Sequence, residues 1–393
     1  MKGRSSKGFQ FDNVLNISFA HLFHDIYSSF LAPILPLLIE KLSINYTLSG
    51  LLQVVQRIPS LAMPFIGIIA DKVCMRYFMI FTPALTATAM SLLGIAPNYT
   101  VLVILLFVTG VSSALFHVPA PVMMKKVSGN RIGKGMSFYM AGGEIARTIG
   151  PLIIVGAVSL WTLEGTYKLI PLGILASVIL FFKLKKINIS DEIREKEKEK
   201  RIGWKQTFTK FLPLFMTLAA IIFFNAMMKE SIKTFLPTYL KFLEGKTLLT
   251  GAVYLSIFQF SGIIGTYCAG TISDKIGRKK ILLIISIINP VLMWLFVVID
   301  NSLRMPILII MGIFLFAQGP VLLALVNDVN SDRPAFINSI YMTFSFIIGS
   351  ISILLFGVLS DWLNFEISFK ISAILGLFAI PFILKLKDKN CPT

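Results

Sequence analysis

Charged side chains are scarce in this chain: Asp, Glu, Lys and Arg make up 15% of its 393 residues. A soluble domain of ordinary composition carries about 25%. Acidic groups are the scarcer sign, 20 against 37 basic ones. Cysteine and histidine number three each. Cys74, Cys268 and Cys391 lie far apart, with no metal-ligand spacing, and no disulfide is expected among them. The three histidines have no cysteine beside them, so neither a metal nor a cofactor is expected. A nucleotide-binding loop and a nucleophile constellation are both missing, which argues against an enzyme. No polar segment is long enough for a sizeable extramembrane domain, which argues against a receptor.

What fills the chain instead is apolar. Hydrophobic residues make up 55%, and the mean hydropathy is +0.79. One water-soluble core cannot absorb that much apolar surface at this length, so a lipid bilayer is the natural solvent. A helix needs about 20 apolar residues to cross it. Twelve such stretches are expected, near 14–39, 48–70, 77–96, 101–124, 135–160, 167–184, 212–240, 249–272, 281–299, 305–327, 336–359 and 367–386. The runs are continuous rather than alternating, which favours helices over a barrel. The first stretch is too long for a cleavable signal, and it carries His21, His24 and Asp25 in its middle.

The net charge is +17. In a soluble protein this would point to nucleic acid; here it follows topology. With a cytoplasmic N-terminus, and with Lys168, Lys183, Lys370 and Lys385 at the ends of their stretches counted with the adjoining segments, the cytoplasmic segments hold 27 Lys/Arg and the outer segments 6. The positive-inside rule then places both termini in the cytoplasm of a cell whose inner (plasma) membrane holds the protein. The expected partners are the lipid bilayer, a small-molecule substrate and protons, for a chain working as a monomer with no nucleic acid.

The chain repeats itself. Gly67-Ile68-Ile69-Ala70-Asp71-Lys72 closes the second stretch, and Gly270-Thr271-Ile272-Ser273-Asp274-Lys275-Ile276-Gly277-Arg278-Lys279 closes the eighth. An offset of 203 aligns Asp71 with Asp274, Gln56 with Gln259 and Thr47 with Thr250; one of 201 aligns Pro36 with Pro237 and Pro119 with Pro320. Repeats of six spans are a common way to build a transporter. The expected organisation is a six-helix bundle over 1–184, a cytoplasmic linker over 185–210 and a second six-helix bundle over 211–393. The fold class is thus an all-α membrane protein with twelve transmembrane helices in two six-helix bundles.

The doubled Gly-x-x-x-Asp-Lys-x-Gly-Arg-Lys pattern resembles the signature of the major facilitator superfamily. The second copy is complete; in the first, Cys74 and Met75 replace Gly and Arg, while Arg76 keeps a positive charge. Ser18-Phe19-Ala20-His21-Leu22-Phe23-His24-Asp25 resembles the first span of the fosmidomycin-resistance exporters. So do Gly110 through His117, Ser128-Gly129, Gly142-Gly143 and Gly150-Pro151. The resemblance implies proton-driven export of small molecules. Departures exist too. Where that family reads His-Pro-Glu, this chain has His117-Val118-Pro119. Arg57, Glu144, Arg147, Lys229 and Lys233 replace uncharged residues, which bears on the substrate.

Ionisable groups within the membrane cost about 2.5–3.5 kcal/mol each on insertion scales, so their presence points to function. His21, His24, Asp25 and Ser28 share one helix face. Asp25 with His21 is suited to binding and releasing a proton, aided by His24 and, through the family pattern, His117. The alternative is that this polar face only packs on the fifth span through hydrogen bonds. Arg57, Glu144, Arg147, Lys229, Glu230 and Lys233, with Asn225 and Gln318, are the candidate substrate ligands. Glu144 and Arg147 are three apart and can pair; Lys233 either enters the cavity or snorkels outward. The spans carry a slight cationic excess, which favours an anion or zwitterion over a bare cation; a closed ion-pair network is the other reading. Asp71, Lys72 and Arg76, and Asp274, Lys275 and Arg278, are expected to act in gating at cytoplasmic helix ends. The function expected is a proton-coupled antiporter exporting by alternating access, with an importer or anion exchanger of the same fold as the alternative.

Overall fold

A computed structural model of the chain describes residues 8–63, 75–129, 131–185, 204–299, 301–328 and 334–386. The regular elements among them are all helical. Eleven stretches of the described residues are long and apolar enough to cross a bilayer. The remaining expected span, 48–70, starts as a helix at Tyr46–Arg57 and tightens into a 3-10 turn at Ile58–Ala62; its later residues lie outside those described. The helices fall into two compact units, one within Met1–Leu42 and Val55–Lys200, the other within Ser43–Val54 and Arg201–Thr393.

In the first unit, the opening span is two helices, α1 (Phe11–Ser28) and α2 (Leu31–Leu42), rather than one. Pro33 has no N–H to offer the carbonyl of Ser29, so the helical ladder is interrupted there. The break falls one turn beyond Asp25. The Tyr46–Arg57 helix is α3, and α4 covers Met75–Ser91. The fourth span divides for the same reason. α5 (Tyr99–His117) and α6 (Pro119–Val127) meet at Val118, just after His117, where Pro119 removes a donor.

α7 (Ile132–Trp161) lies along α1 so closely that a Cβ at Gly142 would sit 2.5 Å from the Ser18 carbonyl oxygen. One at Gly143 would sit 2.5 Å from the His21 ring. Only glycine permits that approach, as small residues do generally between membrane helices. α8 (Ile170–Leu184) completes the unit, whose core includes Val14, Ile17, Met79, Ile80, Phe116, Met123 and Leu180.

The second unit holds α9 (Trp204–Phe242), α10 (Leu248–Ile276), α11 (Arg278–Val298), α12 (Asn301–Asn327), α13 (Pro334–Trp362), α14 (Phe365–Leu377) and α15 (Ile380–Leu384). α9 starts inside the segment expected to be linker. Residues 204–210 therefore extend the seventh span, while 186–203 lie outside the described residues. Its core joins Phe215, Leu218, Ile285, Val321 and Tyr341. A second aromatic group brings Phe356 against Phe369, tilted by 46° at 4.8 Å between centroids, and sets Tyr239 edge-on to Phe369. The first turns of α3 belong here: Asp361, at the end of α13, accepts the N–H groups of Tyr46 and Thr47 at 2.8 Å each and the Thr47 hydroxyl at 2.5 Å. The carboxylate satisfies donors that open a helix and that no intrahelical carbonyl can reach. Large apolar side chains such as Phe81, Ile104, Phe182 and Met216 point outward, as lipid contact requires.

Candidate functional site

The first unit gathers ionisable side chains around one carboxylate. On α1, residues 21, 24 and 25 fall within one helical turn, and the i, i+4 relation brings His21 Nε2 to 3.2 Å from Asp25 Oδ2. His24 Nδ1 lies 3.0 Å from Asp25 Oδ1. From α5, His117 Nε2 reaches the same Oδ1 at 3.4 Å. From α7, Arg147 Nη1 donates to Asp25 Oδ2 at 3.2 Å, and its Nη2 donates to Glu144 Oε1 at 2.6 Å. His21, His24 and Asp25 are buried, while the side chains of His117 and Arg147 remain 29% and 34% exposed and so face an opening.

Tyr139 on α7 buttresses two of the rings. Its backbone carbonyl lies 2.7 Å from His21 Nδ1, and its hydroxyl lies 3.2 Å from His117 Nδ1. A carbonyl only accepts, so His21 Nδ1 carries a proton. In the neutral ring Nε2 is then a lone pair, and it faces the Asp25 oxygen. Two lone pairs at 3.2 Å repel unless a cation lies between them. The rings are also fixed by stacking: His21 on Tyr139 at 4.0 Å between centroids, and His24 on Phe116 at 4.5 Å. The polar face of α1 thus packs on α7 through the His21–Tyr139 hydrogen bond and also carries the carboxylate on which the other side chains converge.

The second unit carries Asn225, Lys229, Glu230, Lys233 and Gln318. Lys229 Nζ sits 4.3 Å over the Phe316 ring, a cation–π contact. Glu230 Oε2 pairs with Lys233 Nζ at 3.5 Å, so the salt bridge of this segment runs along the helix at i, i+3. Asn225 Nδ2 donates to the Ile221 carbonyl at 3.0 Å and to Ser286 Oγ at 3.3 Å; Gln318 Nε2 donates to the same carbonyl at 3.5 Å. Arg57 ends α3, half-buried, in the first unit.

Of the gating candidates, Asp71 and Lys72 lie outside the described residues. Arg76 Nη2 donates to the Tyr77 hydroxyl at 3.4 Å. Asp274 pairs with Arg278 at 2.5 Å, and Arg278 Nε reaches Asp328 at the end of α12 at 3.3 Å. Lys275 is exposed beside them. Three participants escaped sequence reasoning: Tyr139, whose part is played by a backbone carbonyl and a neutral hydroxyl; Asp328, in no repeated motif; and Asp361, whose partners lie more than 300 residues away in sequence. Only the acidity of Asp361 at the end of an apolar run was there to be noticed.

Two pseudo-repeated helical halves, transmembrane lengths and buried charges define a membrane transporter rather than an enzyme. The family model of the Major Facilitator Superfamily matches residues 17–353, and the chain belongs to that family. Among curated relatives, the fosmidomycin resistance protein of Escherichia coli (strain K12) is 23% identical over 93% of this chain and 90% of its own length. The multi-drug resistance efflux pump PmrA of Streptococcus pneumoniae is 24% identical over 81% of this chain and 80% of its own. Among solved structures, a bacterial homolog of the human lysosomal transporter Spinster, inward-facing and unoccupied, superimposes with a TM-score of 0.83 at 14% identity, covering 96% of this chain and 97% of that one. The nucleoside transporter NupG gives 0.76 at 14% identity, covering 96% and 100%. These likenesses establish the fold.

Proposed function

We propose that the chain is a secondary active transporter of the plasma membrane that exports a small anionic or zwitterionic molecule in exchange for protons, by alternating access. The observation that carries the reading is the convergence of His21, His24, His117 and Arg147 on the buried Asp25. A cluster of this kind is costly within a bilayer and is retained where a cation must enter and leave. Asp25 with His21 is the exchanging pair, and His24 and His117 tune it. The outward direction is supported by relatives named for fosmidomycin resistance and for multidrug efflux. Substrate charge is supported by Arg57, Arg147, Lys229 and Lys233, with Glu144 and Glu230 available to an amine and Asn225 and Gln318 to neutral polar groups. Asp71, Lys72, Arg76, Asp274, Lys275 and Arg278 are assigned to the cytoplasmic gate, and both termini to the cytoplasmic side. Purified protein in proteoliposomes tests the reading. An imposed pH gradient is expected to accumulate an anionic probe against its own gradient, and a protonophore to abolish this. Equal equilibration with and without the pH gradient would refute proton exchange.

A further inference from the structure

The donors around Asp25 also have the make-up of a metal site. His21, Asp25 and His117 each offer one ligand atom, and these atoms all lie within 4.8 Å of one another. Two imidazoles and a carboxylate suit divalent first-row metals of the zinc, cobalt and nickel kind; magnesium and calcium prefer all-oxygen shells. Ligands 2.0–2.1 Å from a tetrahedral ion stand about 3.3 Å apart. Each nitrogen stands near that spacing from its own carboxylate oxygen, His21 Nε2 3.2 Å from Asp25 Oδ2 and His117 Nε2 3.4 Å from Asp25 Oδ1.

Three further observations point to a ligand at this place. His21 Nε2 is buried and, among the described residues, has no hydrogen-bond partner, only the Asp25 oxygen that it faces. Its lone pair is fixed toward Asp25 because Nδ1 is held as a donor by the Tyr139 carbonyl at 2.7 Å. Metal-bound histidines commonly donate their second nitrogen in this manner, and the contact orients the ring and raises its basicity. His117 has a like support from the Tyr139 hydroxyl. A proton between His21 and Asp25 would relieve that pair alone. A metal ion engages His117 as well.

Charge agrees. With neutral imidazoles, Asp25 and Glu144 outweigh Arg147 by one negative charge. We propose that His21, Asp25 and His117 form a binding site for one divalent transition-metal ion, with Arg147 and His24 bonded to the carboxylate from outside and Tyr139 holding both metal-bearing rings. The partly exposed side chain of His117 gives the ion its path in, and three protein ligands leave a position open for water. The metal and a coupling proton need the same lone pairs, so each excludes the other.

The test uses the full chain, purified in detergent without a polyhistidine tag and stripped with chelator, so its result is independent of whether transport is proton-driven. Co²⁺ and Zn²⁺ are titrated separately, with visible absorption reporting the Co²⁺ coordination and mass spectrometry the Zn²⁺ per chain. One ion per chain is expected, with the intense Co²⁺ bands of a four-coordinate site. His21→Gln and His117→Gln are each expected to weaken binding by about 100-fold or more, and Tyr139→Phe by about tenfold. Tyr139→Phe keeps the backbone carbonyl and serves as the variant least disturbing to folding; melting temperatures are followed for all three. Absence of binding by the unaltered chain would overturn the site, as would affinity unchanged in folded His117→Gln.

Discussion

The two halves share a scaffold and differ in what they place on it. At the offset of 201 that aligns Pro36 with Pro237 and Pro119 with Pro320, His24 corresponds to Asn225 and His117 to Gln318. Asp25 corresponds to Ala226 and Arg147 to Ile348. In the first half the two imidazoles meet at one carboxylate oxygen; in the second, the two amides meet at the Ile221 carbonyl. An amide stays uncharged at every accessible pH, whereas imidazole and carboxylate change their charge. The first half thus holds groups whose charge can change, and the second holds an uncharged amide pair on the helices that carry Lys229, Glu230 and Lys233.

The largest effect is expected from breaking the first half's centre. Asp25→Asn is expected to abolish gradient-driven accumulation while leaving substrate binding and exchange largely intact. Folding should survive, because Arg147 keeps Glu144 as its partner. Uphill transport at the unaltered rate would show that the centre lies elsewhere. A smaller and opposite signature is expected from the second half. Lys229→Gln should weaken binding of an anionic ligand by about 1.5–3 kcal/mol, the range for hydrogen bonds to charged groups. A matched neutral analogue should lose much less. Equal losses accompanied by a lowered melting temperature would make Lys229 a structural residue.

Gly143→Ala sharpens the contrast through packing alone. Its Cβ would meet the His21 ring at 2.5 Å, so the ring or α7 must shift, at a cost of about 1–3 kcal/mol for overpacking. Thermal unfolding should register the cost, and the pH profile of transport should move with it. A shift in melting temperature with the pH profile unchanged would separate His21 from coupling. The mildest intervention is a cysteine at Ser190 in a background lacking the native cysteines. An impermeant thiol reagent applied to intact cells is expected to miss it. Ready labelling would reverse the orientation read from the Lys/Arg distribution.

Much of this was legible in the sequence, and the limits have physical causes. Local spacing carried the cluster on α1, because i, i+3 and i+4 fix which side chains share a face whatever surrounds them. It also carried the Glu144–Arg147 pair, found at 2.6 Å. Spacing could not reveal that Arg147 reaches Asp25, 122 residues away, or that His117 joins the same carboxylate. His117 entered chiefly through a family pattern, because sequence spacing says nothing about the approach of the fourth span to the first. The break in the opening span was missed although Pro33 and Pro36 were visible, since an apolar run reads as continuous whether or not its backbone ladder is. Tyr139 acts through a backbone carbonyl, a neutral hydroxyl and a stacked ring, none of which carries a charge that would mark it within an apolar run.

The division between the halves is tested most directly by giving the first half the second half's residues. His24→Asn and His117→Gln, combined with Asp25→Ala, reproduce the residues that the second half carries at the aligned positions Asn225, Ala226 and Gln318. In proteoliposomes under an imposed pH gradient, this triple variant is expected to equilibrate an anionic substrate downhill and fail to accumulate it uphill. Uphill accumulation equal to that of the unaltered chain, from the same amount of folded protein, would contradict the assignment of the driving cation to the first half.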